Sequence, residues 1–261
     1  MCLPNGAMSR PADERPRILV LDIGGTHVKA VVSDRPGYRV RFPSGSKMSA
    51  EAMVRQLRPA LRGREFDRVA VGYPGLVRRG RIVRDPPHLG AGWVGFDFAR
   101  ALGRPARVVN DAAMQALGSY RGGRMLFLGL GAGLGSAMMV DGSLIPMELG
   151  HLPYRKGRCF EEFVGETARR RLGRKKWRKE VVDVVETLRD ALEPEYIVLG
   201  GGNVHHLKRL PAGTERGDNA NAFVGGVRLW ERDYGVFDHP SSAAQTAPSP
   251  RRSSARRRTR A

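Results

Sequence analysis

Two glycine-rich turns, each between a pair of apolar strands, constrain the fold of this 261-residue chain more than any other feature. The first lies in ILVLDIGGTHVKAVVSD, residues 18–34, where an apolar run ends in Asp22 and Gly24 and Gly25 follow. Apolar residues alternate again from Val28, which predicts two strands joined by a tight turn. Such a turn exposes backbone N–H groups that can bind a phosphate. The alternative is an ordinary glycine turn.

A second turn of the same kind lies about a hundred residues further on. In MLFLGLGAGLGSAMMVDG, residues 125–142, a strand again runs into glycines and out into another strand. Asp141-Gly142 then predicts a hairpin turn. Two such turns in one chain indicate two walls of one phosphate site.

Between the turns, ARVVNDAAMQALG (residues 106–118) predicts a buried strand that gives way to a helix near Ala112. Asn110 and Asp111 stand at that junction. An Asp there is commonly a helix N-cap. It is also a carboxylate at the carboxyl end of a strand, where it can project into a cleft and accept a proton. Both interpretations stay open on spacing alone.

These segments resemble the sugar kinases of the ROK (repressor, open reading frame, kinase) family, and within it the polyphosphate glucokinases most. The matching residues, in the family's order, are Asp22-Ile23-Gly24-Gly25-Thr26, Tyr73-Pro74-Gly75, Val109-Asn110-Asp111, Gly131-Ala132-Gly133-Leu134-Gly135, Glu148-Leu149-Gly150-His151 and Leu199-Gly200-Gly201-Gly202.

The resemblance implies a role for each matching position. Asp111 would be the general base, and Asn110, Glu148 and His151 would bind sugar hydroxyls, with Glu161 as a further contact. By spacing alone, Glu148 and His151 would be ordinary surface residues. Residues expected to bind the phosphoryl donor are Asp22, Gly24, Gly25, Thr26, Lys29, Gly131, Gly133, Gly135, Gly201 and Gly202. Mg²⁺ would be held mainly by donor phosphates, with Asp22 reaching it through water, and no residue is expected as a direct metal ligand.

The implied fold is α/β: an actin-like, ribonuclease-H-like pair of lobes around a central cleft. Alternating strands and helices favour a layered α/β fold without reference to the family. The expected lobes are residues 12–110 plus 222–238 and residues 111–221, between a flexible N-terminus (1–11) and a disordered basic tail (239–261). No internal sequence repeat is evident.

Helical spacing is present in four segments: residues 49–61, 159–172, 178–192 and 219–230. In the third of them, one side is expected to consist of Val182, Val185, Leu188 and Leu192.

Two departures from the family pattern matter. Gly129 and Ala132 stand where the second phosphate loop usually has threonines, so two hydroxyl donors are missing. Only Cys159 follows His151, so the cysteine-rich zinc motif of many members is absent and no structural zinc is expected. The polyphosphate-using branch generally lacks that motif.

The chain is strongly basic, with 45 Lys and Arg against 26 Asp and Glu and a formal net charge of +19. Such a field concentrates polyanions. The densest cluster outside the tail spans residues 169–179, which is either a solvated helix face or a cationic track for a phosphate chain. No specific nucleic acid is expected as a partner.

Two cysteines, no membrane-length apolar run and no signal-peptide core favour a cytoplasmic protein without a membrane partner. The resemblance also implies a homodimer.

The expected activity is phosphoryl transfer to the 6-hydroxyl of glucose or a related hexose. Inorganic polyphosphate is the expected donor, with ATP as a second one. The alternatives are an ATP-dependent kinase for fructose, mannose or an amino sugar, and a non-catalytic sugar-binding protein. A transcription regulator is disfavoured, since about seventeen residues before the first strand are too few for a helix-turn-helix domain.

Overall fold

The computed structural model describes residues 15–237. The segments expected to be a flexible N-terminus (1–11) and a disordered tail (239–261) lie outside the described residues. Within residues 15–237, no helix is both long and apolar enough to cross a membrane.

The first half of the chain forms a five-stranded sheet in the order β3-β2-β1-β4-β7. Its strands are β1 (Ile18–Ile23), β2 (His27–Val32), β3 (Val40–Pro43), β4 (Arg68–Tyr73) and β7 (Ala106–Asn110). The first three are antiparallel neighbours, whereas β1, β4 and β7 run parallel. A small hairpin of β5 (Val77–Arg78) and β6 (Arg81–Ile82) follows β4.

The second half repeats this topology in the order β10-β9-β8-β11-β12. Its strands are β8 (Arg124–Leu130), β9 (Leu134–Val140), β10 (Ser143–Met147), β11 (Tyr196–Gly200) and β12 (Thr214–Arg216). Again a three-stranded antiparallel meander continues into parallel strands. The repeat is thus evident in the backbone, although not in the sequence. Both predicted glycine hairpins and the hairpin turn at Asp141-Gly142 are confirmed.

The helices are α1 (Ala50–Leu57), α2 (Phe98–Leu102), α3 (Asp111–Ser119), α4 (Glu161–Val164), α5 (Glu166–Leu192) and α6 (Asn221–Arg228). Helix α3 contacts strands of both sheets, and α6 packs against α3, β1 and β4. Side chains from both sheets and both helices share one buried cluster, including Val20, Met114, Phe127 and Ala222. The opposite faces of the two sheets are covered by α1 and α5.

Glycines let α3 and α6 approach closely. A Cβ atom at Gly118 would collide with the carbonyl oxygen of Asn221, and one at Gly225 with that of Met114. Helix α6 therefore brings the end of the described chain back to the first sheet. We retain as a proposal the division into lobes of residues 12–110 plus 222–238 and residues 111–221.

The buried side predicted for residues 178–192 is partly wrong. Helix α5 runs from Glu166 and is kinked at Gly173, whose φ is 72°. Its buried positions after the kink are Trp177, Val181, Val184, Val185 and Leu188. Trp177 donates from Nε1 to the carbonyl of Val164 at 2.7 Å, and this anchor sets the rotation of the helix. Val182 and Leu192 are only partly buried.

Candidate active site

The first glycine turn joins β1 to β2 and is braced from outside. The Gly24 amide donates to the His27 carbonyl at 2.9 Å and closes the turn. Ser44, just after β3, donates from its hydroxyl to the Gly24 carbonyl at 2.6 Å and from its amide to the Thr26 carbonyl at 3.0 Å. Thr26 is exposed, and its hydroxyl lies 3.3 Å from His27 Nδ1 at a surface that a ligand can reach.

Asp22 and Lys29 face each other at the end of this hairpin. They are register partners on β1 and β2, and Lys29 Nζ lies 2.9 Å from Asp22 Oδ2. The Asp22 side chain is only 11% exposed and that of Lys29 36%. Because the ammonium compensates the buried carboxylate, Lys29 has a structural partner besides the donor-binding role expected of it.

The second turn joins β8 to β9 and is held by two other elements. The Gly131 carbonyl accepts from Asn203 Nδ2 at 3.0 Å and from the Glu166 amide at 3.0 Å. The Gly131 amide donates to the Gly133 carbonyl at 3.2 Å. A Cβ atom at Gly131 or at Gly202 would meet no atom within 4 Å, so both glycines border open space.

Other glycines near this turn serve close packing. Gly129 and Gly135 are register partners on β8 and β9, and a Cβ at Gly135 would lie 3.0 Å from that of Ala112. Gly201 has φ +82° and lies against Leu130, whose carbonyl a Cβ atom would hit. The start of α3 and the loop after β11 therefore both contact the second hairpin.

Asn110 is the N-cap of α3, and Asp111 is the first helical residue. Asn110 Oδ1 accepts from the amides of Ala112 at 2.8 Å and Ala113 at 3.4 Å, while its Nδ2 donates to the Gly75 carbonyl at 3.1 Å. The capping role considered for Asp111 thus belongs mainly to Asn110. Asp111 Oδ1 accepts from the Ala112 amide at 2.8 Å.

The environment of Asp111 favours its protonated form. Burial, followed by the negative charges of Asp22 and Glu148, raises the pKa of Asp111 to about 7. The Ala112 amide opposes this increase. Three carboxyl groups from β1, the start of α3 and the segment after β10 are therefore close enough to influence one another.

Glu148, His151 and Glu161 form a second group on the same side. His151 Nε2 lies 3.6 Å from Glu161 Oε1. The pKa of Glu148 is raised by burial and, less strongly, by Glu161, whereas His151 and Arg84 oppose the increase. All three residues expected to bind sugar hydroxyls from this part of the chain are thus neighbours.

Ser136 orients this segment, and sequence reasoning missed it. Its side chain is buried; its hydroxyl donates to the Met147 carbonyl at 3.1 Å and accepts from the Leu149 amide at 3.0 Å. Both partners flank Glu148, so Ser136 fixes the backbone on either side of that carboxylate. A serine within the apolar run LGSAMMV was the available signal.

A cavity of about 350 Å³ adjoins the site between the edge strands β7 and β10. Asn110 and Glu148 belong to its lining, which is otherwise mostly apolar. Asn110 and Glu148 thus border a concave space rather than a flat surface, whereas His151 and Glu161 do not line it.

No zinc-type centre is evident in the part of the chain that the structure describes. Among residues 15–237, no group of three or more His, Cys, Asp and Glu side chains is arranged to hold a metal ion. Cys159 instead donates from its amide to Glu162 Oε2 at 2.9 Å.

Residues 18–180 match the ROK family. The chain belongs to that family. It has the actin-like sugar kinase fold, and its similarities support a phosphotransferase that acts on a sugar. The solved polyphosphate/ATP-glucomannokinase of Arthrobacter sp. strain KM is 26% identical, with a TM-score of 0.70 over 82% of this chain and 98% of that one.

Two relatives differ in the sugar that their names specify, and only the first name specifies a donor. A polyphosphate glucokinase of Mycobacterium tuberculosis is 26% identical over 203 residues, covering 70% of this chain and 76% of its own. An N-acetylmannosamine kinase of Citrobacter koseri is 28% identical over 141 residues, covering 49% of each.

Proposed function

We propose that this protein transfers a phosphoryl group to the 6-hydroxyl of glucose, with inorganic polyphosphate as its main donor and ATP as a second one. The observation that carries the proposal is the Asp111 carboxyl. It lies near Asp22 and Glu148 with its pKa raised to about 7. The similarity to enzymes named polyphosphate glucokinase and polyphosphate/ATP-glucomannokinase supports this donor and this sugar.

Asp111 would act as the general base. A carboxyl whose pKa lies near 7 is half ionised at neutral pH and, once ionised, has a stronger affinity for a proton than an ordinary aspartate. It would take the proton of the sugar 6-hydroxyl as the oxygen attacks the terminal phosphorus in line with the leaving phosphate.

The sugar would be oriented by side chains from both halves of the chain. Asn110 would offer its amide group, and Glu148 and Glu161 would accept hydrogen bonds from hydroxyl groups. His151, close to Glu161, would bind another hydroxyl. Ser136 would act indirectly by holding the backbone around Glu148.

The donor would bind between the two glycine turns through backbone amides and the Thr26 hydroxyl. Gly129 and Ala132 provide no hydroxyl. A donor that depends on a close-fitting loop therefore binds less tightly here than a donor that makes many separated contacts. This reasoning favours a long phosphate chain over a nucleotide. Mg²⁺, bound mainly to donor phosphates and through water to Asp22, would supply charge neutralisation.

The test is a turnover assay with the purified full-length chain. Glucose, mannose, fructose and N-acetylmannosamine are each offered with long-chain polyphosphate and with ATP. We expect the highest kcat/KM for glucose with polyphosphate. Strong activity with ATP and none with polyphosphate would refute the donor assignment.

A second candidate is an ATP-dependent kinase for an amino sugar. It is favoured by the 28% identity to an N-acetylmannosamine kinase over 141 residues. In the same panel it predicts preference for N-acetylmannosamine with ATP. Sugar binding without turnover under any condition would instead indicate a protein that has lost catalysis.

A further inference from the structure

Two elements from later in the chain meet at the second glycine turn. The start of α5 contributes the Glu166 amide, and the loop after β11 contributes Asn203 Nδ2, and both bind the Gly131 carbonyl. A short 3₁₀ turn, Val204–His206, follows Asn203 directly. A phosphate chain that extends from this turn over Gly202 therefore meets α5 and the 3₁₀ turn next.

Arginine side chains of α5 and two histidines of the 3₁₀ turn converge there. Arg178 donates from Nε to the His206 carbonyl at 2.7 Å, and the His205 and His206 rings are 3.8 Å apart between centroids. Burial and, less strongly, the charges of Arg169 and Arg174 lower the pKa of His206, while Glu166 opposes the decrease. We call these five residues, Arg169, Arg174, Arg178, His205 and His206, the α5–His206 cluster.

The orientation of α5 determines which basic residues of the segment 169–179 belong to the α5–His206 cluster. Trp177 is fully buried, with its Nε1 on the Val164 carbonyl and its ring edge-on to His206. Arg174 and Arg178, four residues apart, lie on one side of the helix. Arg171 points elsewhere and donates to the Glu162 carbonyl at 2.9 Å. The sequence run 169–179 is thus not one uniform track.

Carboxylates balance only part of this charge, since Glu166 pairs with Arg169 but not with Arg174 or Arg178. Glu166 is shared between Arg169 and Arg170, each at 2.7 Å. Within residues 15–237, Arg174 and Arg178 form no salt bridge with any carboxylate. Like charges held together without compensation raise the energy of the empty surface, and a bound polyanion removes that cost.

We infer that the α5–His206 cluster is a subsite for the inner phosphates of a polyphosphate chain, beyond those held by the glycine turns. Arg174, His205 and His206 bind the chain, Arg169 adds positive charge, and Arg178 positions His206. Guanidinium groups match phosphate oxygens in geometry and charge, and a neutral imidazole can donate one N–H hydrogen bond to a phosphate oxygen. The inference rests on the proposed donor, and it specifies where a long donor gains affinity that a short one does not.

The test compares three full-length proteins: unaltered, the double variant Arg174→Gln with His206→Gln, and the control Lys176→Gln. Lys176 is exposed and lies roughly 200° around the helix from Arg174. The basic tail is present in all three, so its contribution cancels. Circular dichroism melts check that each protein is folded.

Two readouts separate the subsite from the proposed reaction. Direct binding of long-chain polyphosphate and of tripolyphosphate is measured by calorimetry without sugar, and KM is measured for both donors. We expect the double variant to weaken long-chain binding and raise its KM about tenfold or more, with less than a twofold change for tripolyphosphate and for glucose. Lys176→Gln should behave like the unaltered protein.

The remaining outcomes distinguish a failure of the subsite from a failure of the proposed function. A double variant that matches Lys176→Gln in binding overturns the subsite and leaves the kinase proposal standing. If the unaltered protein does not bind long-chain polyphosphate, the subsite is wrong. If it binds the chain through this cluster but transfers no phosphate from it, the donor proposal fails and the subsite stands.

Discussion

Asp111 binds its proton more tightly than an ordinary aspartate, and this affects folding as well as chemistry. An isolated aspartate has a pKa of about 4, whereas burial and two neighbouring carboxylates raise the pKa of Asp111 to about 7. The folded chain therefore retains a proton here that the unfolded chain has released. Stability is consequently lost as the pH rises from about 4 to about 7, and the loss is complete above that range.

Replacing Asp111 by asparagine removes this pH-dependent loss of stability, because asparagine does not ionise. We predict that Asp111→Asn has a Tm similar to that of the unaltered protein at pH 4.5 and a Tm higher by a few degrees at pH 8. Thermal melts at both pH values check this. The control Asp97→Asn changes an exposed carboxyl that caps α2 and should not show that pH-dependent gain. A Tm difference independent of pH would contradict the raised pKa.

Ser136 should affect binding of the sugar and not binding of the donor. Ser136→Ala removes both hydrogen bonds that hold Met147 and Leu149 around Glu148. We predict a several-fold higher KM for the sugar, an almost unchanged KM for the donor, and a stability loss of about 1–3 kcal/mol from unpaired polar groups. Steady-state kinetics and urea unfolding measure these effects.

The matched control for that experiment is Ser119→Ala. Ser119 is also nearly buried and donates to the Gln115 carbonyl at 2.9 Å, but it lies at the far end of α3. The Ser119→Ala variant should be less stable than the unaltered protein but have the same KM for the sugar. Equal effects of both substitutions on sugar KM would remove the positioning role of Ser136.

At the scale of elements, the two glycine turns are held by different partners. Ser44 braces the first turn locally, from the strand that follows it. Asn203 braces the second from a loop about 70 residues away, with its side chain almost fully buried. The second turn therefore depends on correct packing of the loop after β11.

Asn203→Ala tests that dependence. Without Nδ2, the Gly131 carbonyl retains only the Glu166 amide, and the turn loses a defined position. We predict a KM for polyphosphate raised about fivefold to tenfold, with sugar KM unchanged. Asn219→Ala, at an exposed position in the segment before α6, is the control. An unchanged donor KM in Asn203→Ala would show that the turn does not bind the donor.

The sequence predicted elements well where the signal was local. Alternating apolar residues and paired glycines were sufficient to predict both hairpins, because strand period and turn chemistry act over a few residues. Ser44, Ser136 and Asn203 were missed because each acts on backbone that is distant in sequence or hidden inside a strand. The buried side of α5 differs from the predicted one because the Trp177 anchor and the kink at Gly173 set the rotation of the helix.

At the scale of the whole molecule, two sheets of identical topology enclose the α3–α6 pair, and the candidate residues come from both halves. The sequence shows no repeat, because the two halves share their strand topology but not their side chains. The order of motifs nevertheless predicted the fold, because the ROK pattern specifies which strand ends lie together. The residue roles, the homodimer and the cytoplasmic location remain predictions.

The most direct test of the account is the rate of glucose 6-phosphate formation from glucose and polyphosphate by Asp111→Asn and by the unaltered protein. If Asp111 is the base, turnover in the variant falls by roughly 10²–10⁴-fold, while glucose binding measured by calorimetry changes little. A variant that stays folded and retains near-normal turnover would contradict the account.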